Sequence, residues 1–302
     1  MKTKISSMLL ILLAAMIWGF AFVAQVDGAD YVGPFTFTGV RFLIGIISLL
    51  PVVLIFERGR ADKEERRQTF IASLIAGTVL FFASITQQIG IHITGSAGVS
   101  GFITGLYTVF VPIAAYLLFR QRTGVNVVCG AVLAVIGLFL LCYKVGEGFY
   151  FGVGELLLLV CAFFWTAHII TVDRLGKKLR SLHFAWGQFA VCTVWGLMGM
   201  FIFETPTIES IMAAKWSLFY CGVLSVGVAF TLQVVAQKTA EPTFAAILFS
   251  TESGFSAIGG AIFGIDHISL LGYIGCAAIF SGVVLSQLNI CEKKSIDTER
   301  IE

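Results

Sequence analysis

Glu252 and Tyr107 are the residues in this chain best suited to chemistry. A carboxylate can take up a proton or hold an ammonium group, and a phenol can hydrogen-bond it. Each sits near the middle of a long apolar segment, Pro242 to Gly264 and Ser96 to Phe119, and a shift of 145 positions superposes the two. A carboxylate in such a run costs about 2.5–3.5 kcal/mol even on lenient insertion scales. A residue that costly is either paired or used. Its polar counterpart in the other half points to one site built between two related halves. The alternative is a Glu252 neutralised permanently by Arg41 or a tyrosine.

Other polar residues in apolar runs extend the candidate site. Arg41 keeps its proton, so it must face a cavity, a carboxylate or backbone carbonyls. It could take the carboxylate of an amino acid or organic acid, or snorkel to the outer surface. Trp18 and Trp165 lie well inside their segments, away from the headgroup belts where tryptophan concentrates. They could wall a cavity or pack a core, and each indole N–H needs a partner. Gln87, Gln88, Gln188 and Gln233 could line a pathway or bond one helix to another. His168 could relay protons or simply pack. Asp173 and Arg174 mark a segment end and are expected to face the cytoplasm.

The elements that hold these residues are membrane spans. The 302 residues are 58% hydrophobic and 13% charged, with mean hydropathy +0.93. A soluble domain carries roughly 25% charged residues, so the expectation is an all-α polytopic membrane protein. Ten spans are predicted, at about 5–24, 34–56, 68–90, 96–119, 124–143, 151–172, 182–203, 216–237, 242–264 and 268–290. The first follows Lys2 and Lys4 but is too long for a cleaved leader, so it is read as retained. The third and fourth are separated only by the break at His92, Thr94 and Gly95. With the N-terminus inside, every Lys and Arg except Lys144, Lys215 and Arg41 falls on the cytoplasmic side. This predicts a plasma-membrane protein with both termini cytoplasmic. The seven cysteines show no CxxC spacing and read as packing residues.

The chain also repeats itself. At the offset of 145, Gly77 meets Gly222, Thr86 meets Thr231, Gln88 meets Gln233, Gly130 meets Gly275 and Gly137 meets Gly282. At 147, Trp18 meets Trp165, Phe42 meets Phe189, and Arg41 meets Gln188. The halves are 5–143 and 151–290, followed by a tail, 291–302. Five spans is an odd number, so the second half must enter the membrane from the opposite side. The expected fold is ten transmembrane helices in two inverted five-helix repeats, with a site near the midplane. Gly101 and Gly105 form GxxxG in the fourth span, matched by Ala246 and Ser250 in the ninth, and these spans are expected to pack centrally. Gly130/Gly137 and Gly275/Gly282 mark a close seam of the fifth and tenth spans. Pro112 could kink the fourth span.

These features resemble the drug/metabolite transporter superfamily, EamA type. The likeness rests on the Ala-Ala-Met-Ile-Trp-Gly stretch at 14–19, Arg41-Phe42, the fourth span running into the Gly130/Gly137 helix, and their echoes around Glu252 and Gly275/Gly282. Where that family often ends the fourth and ninth spans in Gly-Glu, this chain has Arg120-Gln121 and Ile265-Asp266. The resemblance implies two five-span repeats, a secondary transporter that exports a small metabolite, and outer helices that could support a homodimer. An amino acid or amphipathic compound is the expected substrate. The binding residues are expected to be Glu252, Tyr107, Arg41, Trp18, Trp165, Gln88, Gln233, Gln188 and His168, with Glu252 coupling to protons. A facilitator or importer on the same fold, or a membrane scaffold or sensor, is the rival. Neither Walker A nor HExxH nor GxSxG occurs, so no enzyme activity, cofactor, metal or nucleic-acid partner is expected. The partners are the substrate and the lipid bilayer.

Overall fold

A computed structural model describes residues 2–59, 62–119, 125–144, 148–149, 151–240, 242–249, 251–266 and 269–287. The tail 291–302, Arg120-Gln121 and Ser250 lie outside them. The first half comprises α1 (Lys2–Ala29), α2 (Pro34–Phe56), α3 (Lys63–Thr94), α4 (Ala97–Thr104), α5 (Tyr107–Phe119) and α6 (Val125–Cys142). A small antiparallel hairpin, β1 (Tyr143–Lys144) and β2 (Gly148–Phe149), precedes the second half. That half comprises α7 (Val153–Gly176), α8 (Ser181–Phe203), α9 (Ile208–Ala213), α10 (Lys215–Phe219), a π-helical stretch (Tyr220–Phe230), α11 (Thr231–Ala236), α12 (Pro242–Phe249), α13 (Thr251–Ile262) and α14 (Leu270–Gln287).

Among the described residues, seven stretches are long and apolar enough to cross a membrane: Ser7–Ala29, Pro34–Phe56, Lys63–Thr94, Ala97–Leu118, Val153–Gly176, Ser181–Phe203 and Lys215–Ala236. The fifth, ninth and tenth spans are carried by α6, by α12 with α13, and by α14. The break between the third and fourth spans is sharp. Gly95 closes α3 in the left-handed region at φ 62°, and Ser96 opens α4 by accepting the Val99 amide proton at 3.1 Å. Both are ordinary helix-end devices.

The fourth span, which packs against the ninth, is interrupted near its middle. α4 stops at Thr104 and α5 starts at Tyr107. Pro112 lies inside α5, so the discontinuity precedes the proline. The two spans cross there. The Ser253 hydroxyl donates to the Gly101 carbonyl at 2.8 Å, and a Cβ on Gly105 would fall 2.5 Å from Ser253 Oγ. The Gly101/Gly105 spacing thus brings two backbones together, as the motif implied. Tight turns at Leu106 N to Ile103 O (3.2 Å) and Thr108 N to Gly105 O (3.1 Å) carry the chain through the break.

Packing between the halves is reciprocal. A Cβ on Gly77 of α3 would lie 2.6 Å from both the Gln188 carbonyl oxygen and Val191 Cβ of α8. A Cβ on Gly222 would lie 2.9 Å from the Arg41 carbonyl oxygen and 2.6 Å from Ile44 Cβ of α2. Each residue of the first contact is the repeat partner of one in the second. The α6–α14 seam gives the direction. Gly137 would meet the Gly275 carbonyl oxygen at 2.6 Å, and Gly282 would meet that of Gly130 at 2.5 Å. The later glycine of each helix faces the earlier glycine of the other, so the two run antiparallel. The repeats are inverted, as five spans apiece require.

Candidate functional site

The two-fold arrangement brings the midplane residues of both halves to one narrow cavity. It is lined by Trp18, Ala21, Phe22, Gln25, Arg41, Gln87, Tyr107, Trp165, Ile169, Ser225, Phe230, Gln233, Phe249 and Glu252. Six of the nine residues expected to bind substrate are there: Glu252, Tyr107, Arg41, Trp18, Trp165 and Gln233. Tyr107, just past the interruption of the fourth span, and Glu252, its repeat partner in the ninth, both line this cavity. Both are buried.

Arg41 is buried at 4% exposure, so it does not snorkel to the surface. Its Nη1 donates to Gln25 Oε1 at 2.7 Å, its guanidinium lies against the rings of Phe37 (5.6 Å) and Phe42 (5.4 Å), and Nε has no partner. No carboxylate among the described residues forms an ion pair with it. The cavity therefore has an acid and a fixed cation on its walls that do not neutralise each other. An unpaired buried charge is expensive, and here only Gln25 and two aromatic rings offset it.

The rest of the wall is aromatic. Trp18 packs on Phe230 and Phe249, with centroids 4.8 and 5.2 Å apart, and on Trp165 at 6.3 Å. Trp165 stacks on Phe230 at 5.6 Å and 15°. Trp18 Nε1 donates to the carbonyl of Ser225, which lies in the π-helical stretch, at 3.3 Å. Trp165 Nε1 finds no oxygen acceptor, and Gln233 Oε1 has no donor. Unpaired polar atoms in a buried wall mark where a ligand or water can bind. The free space is about 30 Å³, enough for about two waters.

Three expected residues lie elsewhere. Gln88 turns away and donates to the Gln25 carbonyl at 3.2 Å. Its neighbour Gln87 faces the cavity instead, because adjacent helical residues point about 100° apart. Gln188 and His168 are bonded to each other (Oε1 to Nε2, 2.9 Å), and His168 meets Trp165 and Phe230 edge-on. They back the aromatic wall rather than line it. Asp173, expected to face the cytoplasm, is buried against Lys177 Nζ at 2.6 Å. Gln25 was missed, although Trp18, Ala21, Phe22 and Gln25 form an i, i+3, i+4, i+7 stripe that could have revealed it. Ser225, Phe230 and Phe249 carry no such signal, since apolar helices offer many serines and phenylalanines.

A helical polytopic bundle with a buried polar cavity between its two halves is the architecture of a membrane transporter. The EamA-like transporter family model matches residues 5–143 and again 152–288, and the chain belongs to that family. Among its relatives, an uncharacterized transporter of Archaeoglobus fulgidus is 27% identical over 92% of this chain and 84% of its own length. The uncharacterized transporter YoaV of Bacillus subtilis is 28% identical over 80% of this chain and 84% of its own length. A protein of known crystal structure shares the fold at TM-score 0.71 with 19% identity, covering 93% of this chain and 96% of that one.

Proposed function

We propose that this protein is a secondary transporter that exports a small zwitterionic metabolite of amino-acid type, by alternating access around the cavity between its repeats. The observation that carries this reading is Arg41 and Glu252 on one cavity wall without a mutual ion pair. Arg41 with Gln25 suits a carboxylate, Glu252 suits an ammonium group, and Trp18, Trp165, Phe230 and Phe249 suit an apolar side chain. A metabolite site occupies about 300 Å³ or more, so the present narrow cavity corresponds to a closed state that must widen. The Lys and Arg distribution supports a plasma-membrane setting with both termini in the cytoplasm. Export rests on family likeness. Among the described residues that line the cavity, Glu252 is the lone carboxylate, which makes it the group to exchange a proton against substrate.

Counterflow in reconstituted vesicles tests the reading. The probes are radiolabelled leucine and phenylalanine, with their decarboxylated amines and deaminated acids as competitors. Zwitterions should exchange, each truncated analogue should compete at least tenfold worse, and Arg41→Gln and Glu252→Gln should each abolish exchange. Full exchange in both variants would refute the site. Full activity of Glu252→Gln alone, without response to a pH gradient, would favour a facilitative permease. The glycine faces of α6 and α14 are occupied within one chain, so a homodimer would have to use another surface.

A further inference from the structure

Two carboxylates, at opposite ends of the α2–α8 pair, do the same thing. Glu57, just past α2, accepts the backbone N–H of Leu182 at 3.1 Å and of His183 at 3.0 Å, and the His183 Nδ1–H at 2.6 Å. Glu204, just past α8, accepts the backbone N–H of Phe35 and of Thr36, both at 2.8 Å, and the Thr36 hydroxyl at 2.6 Å. Every partner is displaced by the same 147 positions: Glu57 to Glu204, Phe35 to Leu182, Thr36 to His183. Each repeat thus ends its second helix in a glutamate that caps the first turn of the other repeat's second helix. A helix start has amides without internal partners and a positive end of its dipole, so a carboxylate placed there binds both.

Local chemistry commits the sequence to this use at each end. A Cβ on Gly33 would fall 2.5 Å from Glu204 Oε1, so the carboxylate occupies the space a side chain would need. At the other end Arg180 stands in the equivalent place and swings aside. It pairs with Glu65 at 2.8 Å and donates to the carbonyls of Gly59 (3.1 Å) and Glu57 (3.4 Å). Between the two ends, α2 and α8 touch backbone to backbone, with a Cβ on Gly196 2.6 Å from Gly39 Cα. The Phe42 and Phe189 rings, 6.0 Å apart, also meet there.

We propose that Glu57 and Glu204 are paired positioning residues that clasp α2 to α8 at both membrane faces, so that the two helices move as one body and hold Arg41 at a fixed place while the fourth and ninth spans move against it. The inference rests on the fold and its packing, not on the identity of the substrate.

Hydrogen exchange of the full-length protein in lipid nanodiscs, read by mass spectrometry, tests it without a transport assay. In the wild type both helix starts should exchange slowly. Glu57→Ala should speed exchange at 182–183 by about tenfold or more and leave 35–36 unchanged, and Glu204→Ala should do the reverse. Glu57→Gln and Glu204→Gln, which keep one acceptor oxygen, should be intermediate. General loosening, with both ends accelerated by either variant, would overturn the proposal. So would rapid exchange at either end in the wild type, which is the mark of a gate that opens rather than a clasp that holds. A null transport result with this pattern intact would count against the substrate reading alone.

Discussion

Replacing Gly282 with alanine tests the antiparallel seam directly. The added methyl would sit 2.5 Å from the Gly130 carbonyl oxygen and 2.9 Å from the Ala134 amide nitrogen. At Gly137, the repeat partner, it would sit 2.6 Å from the Gly275 carbonyl oxygen and 2.7 Å from the Ile279 amide nitrogen. Ordinary contact begins at 3.4 Å, so either methyl must push the helices apart by about 0.8–0.9 Å. All four obstructing atoms are backbone and cannot rotate away. Overpacking of this kind costs about 1–3 kcal/mol, offset by about 0.5–1 kcal/mol because alanine prefers a helix to glycine. The net cost of up to about 2.5 kcal/mol, at about 2–4 °C per kcal/mol, should lower each variant's unfolding midpoint by up to about 10 °C. The assay is thermal unfolding in detergent followed by tryptophan fluorescence. Gly254→Ala is the control, since nothing lies within 4 Å of its added methyl, and it should raise the midpoint. If Gly282→Ala also raised it, or if Gly137→Ala and Gly282→Ala moved in opposite directions, the two-fold seam would be wrong.

Arg41→Gln should end transport yet leave the unfolding midpoint equal or higher, because it removes a buried charge that has no carboxylate partner; a large loss of stability would show that Arg41 is structural. Gly19→Ala should cut transport at least tenfold in vesicle flux, since its methyl would collide with Phe255 Cβ and lie 2.8 Å from the Glu252 carbonyl oxygen, displacing the helix that carries the carboxylate; wild-type flux would dissociate Gly19 from the site. The Glu57 carboxyl is pushed up by burial, but hydrogen bonds from the His183 side chain and the Leu182 and His183 amides outweigh this and hold it below the usual carboxylate range. A depressed carboxylate contributes stability above its unfolded value and loses it as pH falls through the folded one. With Arg180 and Glu65 beside it, the clasp should therefore persist at neutral pH and release only under acid, seen as a lower protection factor at 182–183 once the intrinsic pH dependence of exchange is divided out; a protection factor that changes between pH 6 and 8 instead would contradict this.

Much of this architecture was legible in the residues. Ten spans followed from apolar run lengths, because lipid leaves a helix no other way to satisfy its backbone. Inversion followed from an odd number of spans in each repeat. The costly residues Arg41, Tyr107 and Glu252 stood out because a charge or phenol in an apolar run needs a reason. What one dimension hides is direction. Gln87 and Gln88 are adjacent letters, but only the helix phase sends one to the cavity and the other to the Gln25 backbone. Gln188 aligns with Arg41, yet His168, 20 positions earlier, claims it. The break in the fourth span lies where its backbone crosses the ninth, a contact between segments about 150 residues apart.

The composition and spacing of the chain alone determined that it lies in the membrane, that it is doubled, and that its halves oppose each other, because hydrophobic burial and span parity act along the sequence. Only the folded molecule decided that Arg41 and Glu252 share a cavity without pairing, and that Glu57 and Glu204 fasten helices of the opposite repeat. Those relations depend on distances across the two-fold axis, which no local pattern encodes.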